Sequence, residues 1–303
     1  MHISTSLFFD RSSKQLGTLA TRNQTLQTQI ATGKRLAVPS DDAVAYRRLQ
    51  TIAQATADGS AWESNIALAR TVLEQADTAL GSVTSRLQRA QELTLQAANG
   101  TLSAADHRTI AIELRGIVDD LVALANSKDA RGGPLFGSAT GDTALTRDPA
   151  GVVSFTGTGN PPGIPIGQDV TIQPSESAGQ IFGNIPNGAG TTDSFALLAS
   201  FVTALESGGN PAAAAATTVQ GLKATLDQVG AARGSVGARG IRLDLESTRL
   251  EDAATVREGE RSFLEDIDVT KAIIELQKTS TILQATQASL SKLSQLSLFD
   301  YIR

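Results

Sequence analysis

The two ends of this chain carry the same helical repeat, and a helix with such a repeat needs a partner. Apolar side chains between residues 269 and 303 recur at steps of three, four or seven residues, which is the pattern of a coiled-coil seam. The C-terminal seam consists of Val269, Ile273, Leu276, Leu283 and Leu290. The N-terminal seam consists of Phe9, Leu16, Leu19, Leu26 and Ile30. We therefore expect two terminal helices that pack together, with the intervening chain looped out from them.

Polar residues interrupt both seams, at Asn23 in the first and at Ser280 and Gln287 in the second. Such residues lower stability but can fix register and the choice of neighbour. The flanking positions, such as Thr21 and Gln284, are uncharged, whereas a solvated coiled coil usually carries Glu and Lys there. Uncharged flanks suggest helices that are packed on several sides by other helices, and we predict a subunit interface built from both seams, including Asn23 and Gln287. A simple helical pair within a monomer is the alternative, and the pattern alone does not separate the two.

Helical periodicity continues beyond the N-terminal seam. Gly33 can end the first helix, and Ser40 or Asp41 can cap the next one. That second helix carries an unbroken heptad series: Ile66, Ala69, Leu73, Ala76, Leu80, Val83, Leu87 and Ala90. After a turn at Asn99-Gly100, Ser103 and Asp106 have the spacing of a capping box. The short connection predicts an antiparallel helical hairpin.

A second helical region follows after residue 193. Apolar residues at helical spacing predict one helix from Phe195 to Leu205 and a longer one that Pro211 opens. The longer helix contains Gly230, Gly234, Gly237 and Gly240. Each glycine costs about 1 kcal/mol relative to alanine. We therefore expect either close contact with another helix or a break between residues 230 and 240.

Residues 137–192 differ from both flanks, because Gly and Pro are dense and helical periodicity is absent. Short apolar alternations at Val153 and Phe155, Ile164 and Ile166, and Val170 and Ile172 predict strands, and Ile181 and Phe182 can close a small cluster. The predicted fold is mainly α, a long helical hairpin or coiled-coil rod formed by the N- and C-terminal parts, with a small β-rich insertion. We expect three domains: 1–40 with 269–303 for assembly, 41–136 with 193–268 as the helical rod, and 137–192 facing outward.

Composition excludes several classes of protein. The chain of 303 residues has no cysteine, so disulfides and thiolate metal sites are not available. No apolar run reaches the roughly 18 residues of a membrane span, and the N-terminus lacks the features of a cleavable secretory signal. Basic residues are concentrated at the two ends, but they lack interleaved aromatic residues and form no continuous stripe. We therefore expect neither membrane insertion nor binding to nucleic acid.

No motif indicates catalysis. No glycine-rich phosphate loop follows a predicted strand, no serine lies in a nucleophile elbow, and neither His2 nor His107 lies beside a plausible ligand set. The paired Asp41 and Asp42 are explained by helix capping. We therefore expect a protein that is not an enzyme and that has no catalytic residue, cofactor or metal.

Several segments together resemble the flagellin superfamily. They are residues 1–5, the Thr-Gly-Lys-Arg of 32–35, the Pro-Ser-Asp-Asp of 39–42, and residues 87–101. Within that superfamily, Glu265-Asp-Ile-Asp-Val269 and Ser297-Leu-Phe-Asp-Tyr-Ile302 resemble the hook-associated protein 3 family, which joins the flagellar hook to the filament. The resemblance covers residues 1–136 and 195–303 and is loose in the middle.

The resemblance implies a structural protein of the bacterial flagellum that is exported by the flagellar type III apparatus without a cleaved signal. Its implied partners are other copies of itself in a ring, an adjacent hook-associated protein, flagellin and a cytoplasmic export chaperone. Two alternatives stay open. One is a filament-forming flagellin, and the other is a surface or adhesion protein whose β insertion binds a ligand.

Overall fold

The computed structural model describes residues 2–129, 131–140, 143–149, 151–187, 190–207 and 211–301, without the side chains of 2–6, 8 and 293–301. Helices dominate these ranges: α1 (His2–Thr32), α2 (Ala43–Ala97), α3 (Ala104–Ala125), α4 (Ala178–Phe182), α5 (Ser194–Glu206), α6 (Ala212–Glu265) and α7 (Val269–Tyr301). The strands are β1 (Leu145–Arg147), β2 (Val153–Phe155), β3 (Ile164–Gly167), β4 (Val170–Ile172), β5 (Ile185–Asn187) and β6 (Gly190–Thr192). The prediction of a mainly helical chain with a small β-rich middle is confirmed.

The chain divides into two compact units. Unit 1 contains residues 1–58 and 252–303, and unit 2 contains residues 59–251. The helices α2 and α6 each contribute to both units. The three domains expected from the sequence differ in their bounds from these units, and that assembly-based division stays a prediction.

In unit 1, α1 packs along α7, which confirms that the two ends of the chain pair with each other. Gly33 ends α1 with a φ of +70°, as a C-terminal glycine does. The cap of α2 was predicted one or two residues too early. Asp42, and not Ser40 or Asp41, accepts hydrogen bonds from the backbone amides of Val44 and Ala45. Asp41 instead accepts from the amides of residues 37 and 38 and closes the preceding turn.

The core of unit 2 is formed by the heptad series of α2. Every member of that series from Ile66 to Ala90 is buried, and so is the apolar stripe of α3 from Ile110 to Leu121. Ser103 and Asp106 form the predicted capping box at the start of α3. The core also takes in α5 and one face of α6, so that a single hydrophobic cluster holds the helices of this unit together.

The middle of the chain forms three antiparallel two-stranded hairpins, β1–β2, β3–β4 and β5–β6. The strands β2, β3 and β4 were predicted, whereas β1, β5 and β6 were not. Ile181 and Phe182 are buried as expected, but they lie on the short helix α4. The Phe182 ring lies 5.2 Å from the ring of Phe195 on α5. The apolar residues of the hairpins therefore join the helical core instead of forming one of their own.

Within the described chain, the four glycines of α6 show neither the close helix contact nor the break that the sequence predicts. The helix continues without a break from Ala212 to Glu265. A Cβ atom built on Gly230, Gly234, Gly237 or Gly240 meets no other atom within 4 Å, so no close helix contact occurs there within the described chain. The buried face of α6 in this region is formed by Val229, Ala232 and Val236. Gly230, Gly234 and Gly237 are exposed outside that face.

Candidate assembly interface on the terminal helices

The contact between α1 and α7 buries few side chains completely. In the described parts of the two helices these are Leu26, Ala272 and Thr279, which are 2%, 4% and 7% exposed. Most of the seam residues named from the sequence are half-buried: Phe9, Leu16, Leu19, Asn23, Ile30, Leu276, Leu283 and Leu290. Val269, Ile273 and Gln287 are exposed. The seams therefore lie along the helix pair, but the pair alone does not cover them.

The polar seam residues meet each other. The Asn23 side-chain amide donates to the Ser280 hydroxyl at 2.7 Å, and Gln27 donates to the Asn23 side-chain oxygen at 2.8 Å. The Asn23–Ser280 hydrogen bond is half-buried. If one helix slipped along the other, the Asn23 amide and the Ser280 hydroxyl would lose this bond, which is costly for partly buried polar groups. This bond therefore favours the observed register of the pair. Arg22 and Glu275 add an ion pair at 2.6 Å, but both are about half exposed and contribute little.

The helix pair leaves large apolar side chains in solvent. On α7, Ile273, Ile274 and Ile282 are 41%, 61% and 40% exposed, and on α1, Leu7 is 49% exposed. The seam pattern missed Leu7, Ile274 and Ile282. A signal for one of them was present, since adjacent residues on a helix point about 100° apart. The doublet Ile273-Ile274 therefore cannot bury both side chains against one partner, and α7 is apolar on more than one face.

A cluster of charges lies where α6 meets α7. Glu265 on α6 pairs with Lys34 and with Arg261, and Arg261 also pairs with Glu258. Lys34, followed by Arg261, holds the pKa of the Glu265 carboxyl below its usual value. Arg48 forms a two-bond pair with Glu260, at 2.6 and 2.8 Å, which lowers the pKa of that carboxyl too. These contacts stabilise unit 1 and indicate no chemistry.

One cavity lies in unit 2, between α3, α5 and the β1–β2 hairpin. It measures about 400 Å³, and Phe195 and Val202 form part of its wall. Two arginines line it, but Arg115 is paired with Glu206, and Arg147 is paired with Asp119. Because both cations already have carboxylate partners, the cavity offers no free charge for an anion.

Nothing in the described ranges points to a metal or a membrane. They contain no group of three or more His, Asp or Glu side chains that could hold a metal ion. None of their helices combines the length and the apolar character of a membrane-spanning segment. The ring nitrogen Nε2 of His107 is buried without a hydrogen-bond partner, and the His2 side chain lies outside the described part.

Comparison with known families and proteins matches both ends of the chain. Residues 3–139 match the bacterial flagellin N-terminal helical region, and residues 219–302 match the bacterial flagellin C-terminal helical region. The chain is 29% identical to flagellar hook-associated protein 3 of Salmonella typhimurium, with all of both chains covered. It is 24% identical to flagellin of Listeria monocytogenes, over 89% of this chain and 86% of that one.

The fold is also found among solved structures. A putative flagellar hook-associated protein from Vibrio parahaemolyticus superimposes with a TM-score of 0.66 and 22% identity, over 74% of this chain and 99% of that one. At this identity the likeness shows the fold alone. The match to the two terminal regions lies on α1, α2, α3, most of α6 and α7.

Proposed function

This chain belongs to the bacterial flagellin family, and from that premise we propose that it is the structural junction protein that connects the flagellar hook to the filament. Two comparisons support the junction role over the filament role. The hook-associated relative is matched along its whole length, and it is more similar than the flagellin relative. Both descriptions are of structural proteins, which agrees with the lack of a catalytic motif in this sequence.

The observation that carries the mechanism is the apolar surface that the α1–α7 pair leaves exposed. Leu7, Val269, Ile273, Ile274 and Ile282 are each 40–61% exposed. Covering the exposed half of such a side chain contributes about 1 kcal/mol, so the five together contribute roughly 5 kcal/mol per subunit. Packing against the terminal helices of neighbouring subunits would bury these side chains and the half-buried seam residues together.

In this mechanism, the terminal helices α1 and α7 become fully ordered only when the subunit assembles. Two helices that bury only a few side chains gain little from each other, and ordering their backbone is costly. We therefore expect residues 10–30 and 270–292 to exchange amide hydrogens faster in the free subunit than in the assembled ring. Equal protection in both states would refute this mechanism.

The proposed partners follow from the same premise. They are further copies of this chain in a ring, an adjacent hook-associated protein below it and flagellin above it. A cytoplasmic chaperone and the flagellar export apparatus would deliver the subunit to the outside of the cell without cleavage of a signal. The absence of cysteine is compatible with this route, since no disulfide is needed for stability after export.

Replacing Ile274 by Asp tests the proposed surface. Ile274 is 61% exposed and lies on α7 away from Leu276 and Leu283, so the change should leave the α1–α7 pair intact. Ile112→Asp is the matched control, because Ile112 is a similarly exposed isoleucine, 68% exposed, on α3 of unit 2 and outside the terminal helices. In a strain that lacks the native protein, Ile274→Asp should give hooks without filaments under the electron microscope, and Ile112→Asp should restore filaments.

Normal filaments in the Ile274→Asp strain would show that this face of α7 is not part of the subunit interface. The junction role itself is tested by the strain without any variant, which should also carry hooks without filaments. Growth of long filaments from the purified protein alone would favour the filament-forming alternative.

A further inference from the structure

The two connections that lead into and out of the terminal helices are bonded to each other. The chain passes from α1 to α2 through residues 33–42 and from α6 to α7 through residues 266–268. Lys34 and Asp266 form an antiparallel bridge between these connections. The Arg35 amide donates to the Glu265 carbonyl at 2.6 Å, and the Ile267 amide donates to the Gly33 carbonyl at 3.0 Å. We name residues 33–35 and 265–267, together with Arg261, the connector clasp.

Gly33 makes this bridge possible. Its φ of +70° lies in the left-handed region, which turns the chain out of α1 and brings its carbonyl to the Ile267 amide. A residue with a Cβ would be strained in that conformation. The side chain of Gln29 also donates to the Arg35 carbonyl at 2.6 Å, so the last turns of α1 are tied to the clasp.

Glu265 links the two sides of the clasp through its side chain. One carboxylate oxygen accepts from Lys34, and the other accepts from Arg261 at 2.5 Å. The Glu265 side chain is only 15% exposed, whereas Arg22 and Glu275 are about half exposed. Because solvent weakens exposed ion pairs, the Glu265 contacts should contribute more than the Arg22–Glu275 pair. Arg35 adds a further bond, from its guanidinium to the Leu264 carbonyl at 3.0 Å.

Two of the three completely buried side chains of the α1–α7 contact lie close to the clasp along the chain. Leu26 precedes Gly33 by two helical turns, and Ala272 follows Ile267 by little more than one, whereas Thr279 lies about three turns beyond Ile267. In residues 9–25 and 280–292, no side chain is completely buried. Packing of the two helices is therefore closest at the end that the clasp holds and looser away from it.

We infer that the connector clasp is a coupling device that fixes the register of α1 against α7 and makes the two helices order or loosen together. When the bonds of the clasp are formed, they hold the adjoining ends of α1 and α7 together. The weaker contacts along the two seams then form from that end outward. Removing the Glu265 carboxylate takes away the side-chain contacts of the clasp with Lys34 and Arg261, which weakens this starting contact for both helices and leaves their seams unchanged. The coupling is a property of the free subunit and holds whether or not the terminal helices form the assembly surface.

Hydrogen exchange of the full-length subunit with Glu265→Ala tests the coupling. Loss of a charged, largely buried hydrogen-bond partner should raise exchange about ten-fold at the amides of Arg35 and Ile267. The same rise should occur in both α1 (residues 24–32) and α7 (residues 270–280). Glu265→Gln keeps the side-chain shape and should give a smaller rise with the same distribution.

Glu258→Ala is the matched control, because Glu258 pairs with Arg261 but does not contact Lys34. It should leave the exchange of α1 and α7 close to that of the unchanged subunit. The coupling is overturned if Glu265→Ala affects one terminal helix only, or if its effect equals that of Glu258→Ala. Trp62, which lies in unit 2, should report by its fluorescence that this unit stays folded in every variant.

Discussion

Replacing Gly234 and Gly237 together by alanine should stabilise unit 2. Both residues are exposed within the unbroken helix α6, and a Cβ atom at either position meets no other atom within 4 Å. The change therefore gains helix propensity without steric conflict, about 1 kcal/mol for each position and about 2 kcal/mol for the pair. For a unit of this size the melting temperature should rise by about 4–8 °C.

Urea unfolding of the purified subunit, followed by Trp62 fluorescence, measures this gain, since Trp62 and both glycines lie in unit 2. The midpoint should rise without a change in the slope of the transition. Gly221→Ala is the control in the same helix, because its Cβ would lie 2.3 Å from a methyl carbon of the buried Leu197. Overpacking of about 1–3 kcal/mol should cancel or outweigh its propensity gain.

An unchanged or lowered midpoint for the Gly234/Gly237 variant would refute the conclusion that these glycines are free of close contacts within the chain. A raised midpoint combined with lost assembly in cells would have a different meaning. It would show that the glycines serve a close approach by another chain, since nothing in the described subunit uses the space above them.

Two further predictions concern caps and carboxylates. Ser103→Ala should destabilise unit 2 by about 1 kcal/mol in urea unfolding, because it removes the cap of α3, whereas Ser103→Thr should retain most of it. Acid should loosen unit 1 before unit 2, because the carboxyls of unit 2 whose pKa is also lowered, Asp77 and Asp106, are aspartates with an ordinary value of 3.8, below that of Glu. The pKa is lowered at Glu258, Glu260 and Glu265 of unit 1 by paired cations. A carboxyl whose pKa is lower in the folded than in the unfolded state stabilises the fold at any pH above its unfolded pKa, which is near 4.5 for Glu. That stabilisation is lost as the pH falls through the folded pKa. Helical circular dichroism should therefore decline at a higher pH than Trp62 fluorescence, and coincident acid transitions would contradict this.

The spacing of apolar residues was sufficient to predict a helix and its buried face wherever that face packs against a single neighbouring core. The heptad series of α2 is buried throughout because one stripe of a long helix faces one core. The strands β1, β5 and β6 could not be found in this way. Each has three residues, and only Leu145 of β1 and Ile185 of β5 are buried in them, so that no alternation exists to read.

Helix propensity did not predict the surroundings of the glycines of α6. The prediction assumed that the stability lost at each glycine is regained by a contact or a break within the same chain. The cap of α2 was placed at Ser40 or Asp41 because any of three polar residues could fill that role. Only the backbone conformation selects Asp42.

For the assembly surface, the seam pattern named residues along both helices but could not separate contacts between α1 and α7 from contacts with other subunits. The seam residues stay a prediction of the subunit interface.

The pairing of Asn23 with Ser280 has a consequence for how the chain folds. These residues are separated by 257 positions, so a nascent chain cannot form their bond until it is almost completely synthesised. The hairpin of α2 and α3, which needs only local contacts, is available much earlier. Closing a flexible loop becomes more costly with its length, and prior folding of unit 2 would shorten the loop that remains to be closed. The two extremities should therefore be the last parts of the subunit to reach their final arrangement, and the slowest.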